Sequence, residues 1–302
     1  MLRRLHGRNF MDFGELGVVV FTDGLSPAQM AELGPRTEQL GYKTLWYPEV
    51  FDYEAMAQGA FLLSQTESLI IANGIANIFA RDPMAAAQGY NSLNKLYGDR
   101  FVLGLGVSHP GILDIRGGGH LFEKPLSTMR KYLDDMDAAW EVLGGPFNGE
   151  KRLMLAALGP GMQKLAAEST LGPIPYNNTP ELTARARERI GADSTLVAVQ
   201  NVCLTTNPAE ARATARRTLS FYLEFPRYHD IWSSVGFNEE DWSNGGSDRL
   251  MDAMVAWGTE DDILARLKAH LDAGATHVGI QSLRPDGAGV PDWNALEALA
   301  PG

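Results

Sequence analysis

A single cysteine, Cys203, stands in 302 residues. One thiol cannot form an intrachain disulfide, so packing alone must hold the fold, and cysteine this scarce accords with a reducing compartment. Its neighbours Val202 and Leu204 read as a buried strand, where a lone thiol behaves as a small hydrophobe. Positive charge is also short: 26 Lys and Arg face 37 Asp and Glu, a formal net charge of −11. That balance lacks the basic stripe of a nucleic-acid binder and has no general attraction to anionic membranes. Long apolar runs are missing as well. The strongest, Leu16–Phe21 and Leu69–Ile71, fall far short of a bilayer span. Arg3, Arg4 and Arg8 are followed by Asp12 and Glu15 rather than by an apolar stretch, which argues against a secretory signal. The cytoplasm is the expected location. His120, His229, His270 and His277 show no ligand spacing with carboxylates or with one another, so no metal is expected.

What is present is a large core, with 45% apolar and 21% charged residues, and a repeated strand–helix rhythm. Leu16–Phe21 is short, apolar and β-branched, the pattern of a strand buried on both faces. Ser26-Pro27-Ala28-Gln29 then starts a helix with a capping serine, a first-turn proline and a glutamine three residues on. That helix stops at Gly41. The same cap-then-proline start recurs at Asp82-Pro83, Thr179-Pro180 and Asn207-Pro208. Strands are expected near 16–21, 43–47, 69–76, 101–107, 153–157, 171–175, 195–203 and 277–282. The clearest helices fall near 26–40, 83–97, 126–143, 179–190, 207–223 and 260–272, the last capped by Thr259 and stopped by Gly274. Eight parallel strands with helical crossovers close naturally into a (β/α)8 TIM barrel, an α/β fold reached by chains of this length. An open doubly wound sheet is the alternative, because strand count does not show closure.

Two stretches break the rhythm. Ser108–Pro125 follows the fourth strand and contains Gly117-Gly118-Gly119. Phe225–Gly246 lies in the crossover from the seventh strand to the eighth and carries Tyr228, Trp232, Phe237 and Trp242. Long inserts in a barrel sit at its catalytic mouth or build an interface. No linker or low-complexity tract divides the chain, so residues 1–302 read as one domain with insertions after strands four and seven.

Several segments at the expected strand ends could carry chemistry. Gly159-Pro160-Gly161 precedes a helix beginning near Met162, where free N–H groups can meet an anion without any net positive charge; an ordinary turn is the other reading. Gly104-x-Gly106-Val107-Ser108 lacks the third glycine of a dinucleotide fingerprint, and its glycines serve either a ligand-facing strand end or barrel packing. Glu49 and His109 stand at the ends of strands two and four, the rim where barrel enzymes keep their chemistry. Their bland alternatives are a solvated carboxylate and a loop histidine before Pro110. Trp46, Phe51 and Phe79 either line a substrate or belong to the core.

Taken in order, Gly41–Glu49, Ala72–Pro83, Arg100–Ser108, Ala156–Met162, Tyr176–Arg187 and Trp257–Asp261 resemble the luciferase-like family. That family includes flavin-dependent monooxygenases and enzymes using the deazaflavin coenzyme F420, and the likeness is nearest to deazaflavin-dependent oxidoreductases of actinobacterial type. The resemblance implies a non-proline cis peptide at Gly74-Ile75, where a simple bulge is the alternative. It implies a coenzyme F420 or FMN held by Gly74, Ile75, Asn77, Val107, Ser108, Ala157, Gly159, Pro160, Gly161 and Met162. It also implies hydride transfer to or from a small molecule, and a homodimer. The FMN alternative is a monooxygenase with a partner reductase, and a non-catalytic flavin-binding protein is a third reading. In the family's sugar-phosphate dehydrogenases a histidine and a glutamate sit roughly where Glu49 and His109 stand here. The two types are swapped in this chain, so Glu49 and His109 are the catalytic candidates while the substrate stays open.

Overall fold

The computed structural model describes residues 11–116 and 122–301. Arg3, Arg4, Arg8, Gly117-Gly118-Gly119 and His120, singled out above, lie outside the described residues. All four cap-then-proline starts open helices, at Pro27, Pro83, Pro180 and Pro208. In each, the capping oxygen accepts a first-turn amide: Ser26 from Gln29, Asp82 from Ala85, Thr179 from Leu182 and Asn207 from Ala209, at 2.9–3.3 Å. Ser26 and Gln29 complete a reciprocal capping box, as do Thr259 and Asp262. The chain leaves its helices at Gly41 (φ +82°) and Gly274 (φ +97°), where a left-handed backbone suits glycine.

The strands are β1 (Leu16–Val19), β2 (Thr44–Tyr47), β3 (Ile70–Asn73), β4 (Ala76–Asn77), β5 (Phe101–Gly106), β6 (Leu153–Ala156), β7 (Gly172–Ile174), β8 (Val197–Leu204), β9 (Val255–Gly258) and β10 (His277–Ser282). They form one all-parallel sheet in the order β7-β6-β5-β3-β2-β1-β10-β8-β9, with β4 continuing β3 along β5. The sheet curls like a barrel wall, and at its β7 edge the Thr195 amide, just ahead of β8, donates to the Leu171 carbonyl at 2.9 Å. Eight strands were expected, and two features differ. The third is broken after Asn73 and resumes as β4. Val255–Gly258, where no strand was expected, is an added strand beside the end of β8; the last long helix follows it at Glu260–Asp272, as its capping threonine announces.

Side chains inside the curl form one core: Phe13 at its base, then Val19, Trp46, Ala72, Val102, Met154, Ile174 and Val199. A larger core packs the helices onto the outer face. A third lies under segment 219–255, where a 3-10 turn (Tyr222–Glu224) and the helices Pro226–Ser234, Glu239–Trp242 and Asp248–Met254 gather Leu223, Tyr228, Trp232, Leu250 and Met251. Cys203 is fully buried there, and burial pushes its thiol up to about 11. It is a hydrophobe, as its neighbours suggested.

Candidate functional site

In a parallel sheet of this kind the strands' C-terminal ends share one rim, and the residues singled out in the sequence lie along it. β3 stops at Asn73, the Gly74–Ile75 peptide is cis, and Ala76–Asn77 pairs again with Leu105–Gly106 of β5. The glycines of β5 explain how this bend fits. A side chain at Gly104 would collide with the Asn73 carbonyl, and one at Gly106 with the Ile75 side chain. Both glycines therefore serve packing, the second of the two readings offered above. Beyond them Val107 and Ser108 are half-buried, with Ser108 in the left-handed region (φ +61°).

Glu49 is not a solvated rim carboxylate. Its side chain is 2% exposed and pairs with Arg81, itself 8% exposed. Oε2 accepts from Arg81 Nη1 at 3.0 Å and from the Asn77 amide at 2.8 Å, while the Glu49 amide donates to the Ile75 carbonyl at 2.9 Å. One residue thus grips both sides of the bend. Arg81 also binds Glu54 at 2.8 Å. Burial works against the guanidinium's charge, but the Glu49 hydrogen bond and the two carboxylates outweigh it and raise its pKa. A carboxylate tied to a guanidinium and an amide does not act as a free base, so the geometry moves Glu49 from the catalytic group to a positioning one.

The turn after β6 behaves differently from the capped helix starts. Helix Pro160–Ser169 begins at Gly159 with no side-chain cap, leaving first-turn amides open. Gln163, 3% exposed, holds the turn from behind: its Nε2 reaches the Ala157 and Leu158 carbonyls at 3.3 Å each, and its Oε1 accepts from Arg189 at 3.1 Å. The guanidinium of Arg227 lies directly on Gly159, so any side chain at 159 would overlap it. Arg227 is half exposed, and its partner Asp230 stands 3.7 Å away. A half-exposed cation and open amides converge on one spot. The sequence reading provided amides alone; Arg227 was missed because no motif ties position 227 to 159.

His109 sits in a cage of rings. Phe225 stacks on it at 4.8 Å, with Phe221, Tyr222 and Tyr228 at 6.1–6.3 Å. Burial lowers its pKa, which keeps the imidazole neutral at neutral pH. Segment 221–234 therefore roofs this side of the rim, and Trp232 Nε1 anchors it to the Asn177 carbonyl at 3.3 Å. Across the rim, Tyr176 packs between Phe21 and Tyr222 and donates to Gln281 Oε1 at 2.8 Å. Of the aromatics proposed for the substrate side, Trp46 is core at 1% exposure, bonded to His277 Nε2, whereas Phe51 is 53% exposed. Phe79 lines a separate surface cavity of about 470 Å3 with Arg81 and Tyr132. Among the described residues no cluster of His, Cys, Asp and Glu has metal-binding geometry, and no helix is long and apolar enough to cross a membrane.

Comparison with known proteins adds an outside reference. Residues 14–277 match the family model described as luciferase-like monooxygenase. The chain is 26% identical over 273 residues to a Mycobacterium tuberculosis protein named as a candidate coenzyme F420-dependent oxidoreductase, covering 74% of this chain and 78% of that one. In fold it is similar to the coenzyme F420-dependent tetrahydromethanopterin reductase of Methanopyrus kandleri, with a TM-score of 0.74 at 17% identity over 95% of this chain and 97% of that one. It is likewise similar to the oxygenating constituent of 3,6-diketocamphane monooxygenase from Pseudomonas putida, solved with FMN. There the TM-score is 0.72 at 14% identity, covering 95% of this chain and 96% of that one.

Proposed function

The chain belongs to the luciferase-like monooxygenase family, and on that premise we propose that it is a coenzyme F420-dependent oxidoreductase that moves hydride to or from a small organic molecule. The observation that carries this reading is the uncapped start of helix Pro160–Ser169 with Arg227 lying on Gly159. Open amides and a guanidinium at one point fit a phosphate-bearing tail, and they do so in a protein whose net charge would repel it. The mycobacterial relative's name and the fold likeness to the Methanopyrus enzyme point to the deazaflavin rather than to another phosphate ester.

The residues present fit such a group. Gly161 and Met162 would offer amides and Arg227 its charge to the phosphate, while Gln163 and Arg189 keep the turn in place. Gly74, Ile75, Asn77, Val107, Ser108 and Ala157 would border the ring, with Glu49 and Arg81 fixing the bend that presents Ile75. When bound, the deazaflavin supplies a carbon that donates or accepts hydride. The rings around His109 exclude water, and its neutral imidazole is placed to take or give the proton that accompanies hydride transfer. The same reading takes residues 1–302 as one (β/α)8 barrel with insertions after its fourth and seventh strands, acting as a cytoplasmic homodimer. Exposed Phe61, Leu96 and Val142 on neighbouring outer helices support the dimer, which light scattering would test.

The FMN-bound Pseudomonas enzyme favours a second reading, an FMN monooxygenase fed by a reductase. Anaerobic turnover separates the two. Loss or gain of the oxidised deazaflavin's absorbance with a panel of alcohols, carbonyls and activated alkenes supports hydride transfer. Turnover only with reduced FMN and oxygen would replace it.

A further inference from the structure

Away from the Gly159 turn and the Glu49–Arg81 pair, the rim carries another cavity of about 230 Å3 at the ends of β1 and β10. Its walls are apolar at Val20, Phe21, Leu283 and Val290, and the charged residues that line it are Arg217 and Arg284 alone. Arg284 is already spent, since it forks onto Asp286. Arg217 is not. Its Nη2 donates to two neutral oxygens, Thr214 Oγ1 at 2.8 Å and the Pro285 carbonyl at 3.0 Å, and among the described residues it forms no ion pair. Gly287 lets the loop pass flat against this guanidinium: its φ is +78°, and a Cβ there would stand 3.0 Å from Arg217 Nε. Gln281 accepts the Tyr176 hydroxyl on its Oε1, so its amide NH2 remains a donor toward the same space. The polar side of the cavity is thus rich in donors, and Arg217 there has no directly paired carboxylate among the described residues; Asp286, held by Arg284, feels its charge only from a distance.

Unpaired guanidinium groups beside an apolar wall recognise planar anions, carboxylates above all. The volume corresponds to roughly eight waters at about 30 Å3 each, the size of an organic acid of about ten heavy atoms. Phe21 and Gln281 both meet Tyr176, which packs on Tyr222 beside His109, so the cavity adjoins the proposed proton-transfer site. We propose that this cavity takes the carboxylate of a small, otherwise apolar organic acid, with Arg217 as its counter-ion, and that such acids are the substrate class. The substrate assignment rests on the hydride-transfer reading above; the binding site does not.

Calorimetry on the coenzyme-free protein tests it with phenylacetate, its neutral analogue phenylacetamide, and inorganic phosphate. Phenylacetate is expected to bind at least about tenfold more tightly than the amide, the worth of a charge-assisted hydrogen bond. Arg217→Gln should erase that preference, Arg217→Lys should keep part of it, and Asp286→Asn, which releases Arg284, should tighten the acid. Should Arg217→Gln fail to fold, Val290→Trp fills the cavity instead and must weaken acid and amide alike. Equal affinity for acid and amide, or an unchanged preference in Arg217→Gln, overturns the proposal. Phosphate binding more tightly than phenylacetate overturns the apolar-acid assignment. Parallel titration of the unaltered protein with coenzyme F420 keeps the two readings apart: coenzyme binding with no acid preference sinks the cavity alone, and an acid preference without coenzyme binding sinks the redox reading alone.

Discussion

Glu49 sits where water hardly reaches, and its pairing with Arg81 is what makes that burial tolerable. Removing one partner of a buried pair leaves the other charge stranded, at a cost of about 3–5 kcal/mol. Glu54 still shares Arg81, so Glu49→Gln is expected near the lower figure, about 3 kcal/mol, read from urea unfolding. A loss below about 1 kcal/mol, the worth of an exposed pair, would return Glu49 to the solvated rim. The sequence placed Glu49 at the rim but hid its partner, because Arg81 reads as the residue before an Asp-Pro helix start. Buried histidines set a second expectation. Burial lowers His270 and His277 from 6.5 to about 4. Between those values the unfolded chain takes up protons that the folded one refuses, so this stability is present above pH 6.5 and is lost as pH falls to about 4. Each group is worth roughly 3 kcal/mol at about 1.4 per unit. Both imidazoles should show neutral NMR signals at pH 5 in the folded protein; signals of protonated rings at that pH would refute the burial argument.

Elements were legible where local chemistry decides them. Asp82 caps helix Pro83–Tyr97 and Thr259 caps Glu260–Asp272, both as their sequences announce. Asp82→Ala and Thr259→Ala are each expected to cost about 1 kcal/mol, measured as a drop in unfolding midpoint; no change at Asp82 would mean that the helix start is held by tertiary packing instead. What escaped the sequence was set by distant contacts. β9 is four residues long and runs straight out of a helix, so neither turn nor periodicity marks it, and it is a strand because β8 offers an open edge. The break in β3 is visible as a glycine, but its shape comes from β5, where Gly104 and Gly106 make room. Phe225–Gly246 reads in the sequence as an aromatic insert; that its rings close over His109 required the curled sheet to bring residues 109 and 225 together.

Across the whole molecule, charge is acidic on average and basic at chosen points. Arg227 on the Gly159 turn and Arg217 in the rim cavity are local exceptions, the points where the proposed anions would meet an acidic chain. Alternating strands and helices, read from capping residues and short apolar runs, predicted the curled parallel sheet, whereas the cations at its rim come from other elements and left no local mark. Arg227→Gln should therefore weaken coenzyme binding by roughly tenfold to a hundredfold, the value of one charge-assisted hydrogen bond, and flatten its salt dependence. The most direct test of the central claim is equilibrium titration of the coenzyme-free protein with purified coenzyme F420 and with FMN, followed by their own fluorescence. Saturable binding of coenzyme F420, tighter than FMN and weakened in Arg227→Gln, is the expected result. Tight FMN binding with no response to the deazaflavin, or deazaflavin binding indifferent to Arg227, would contradict it.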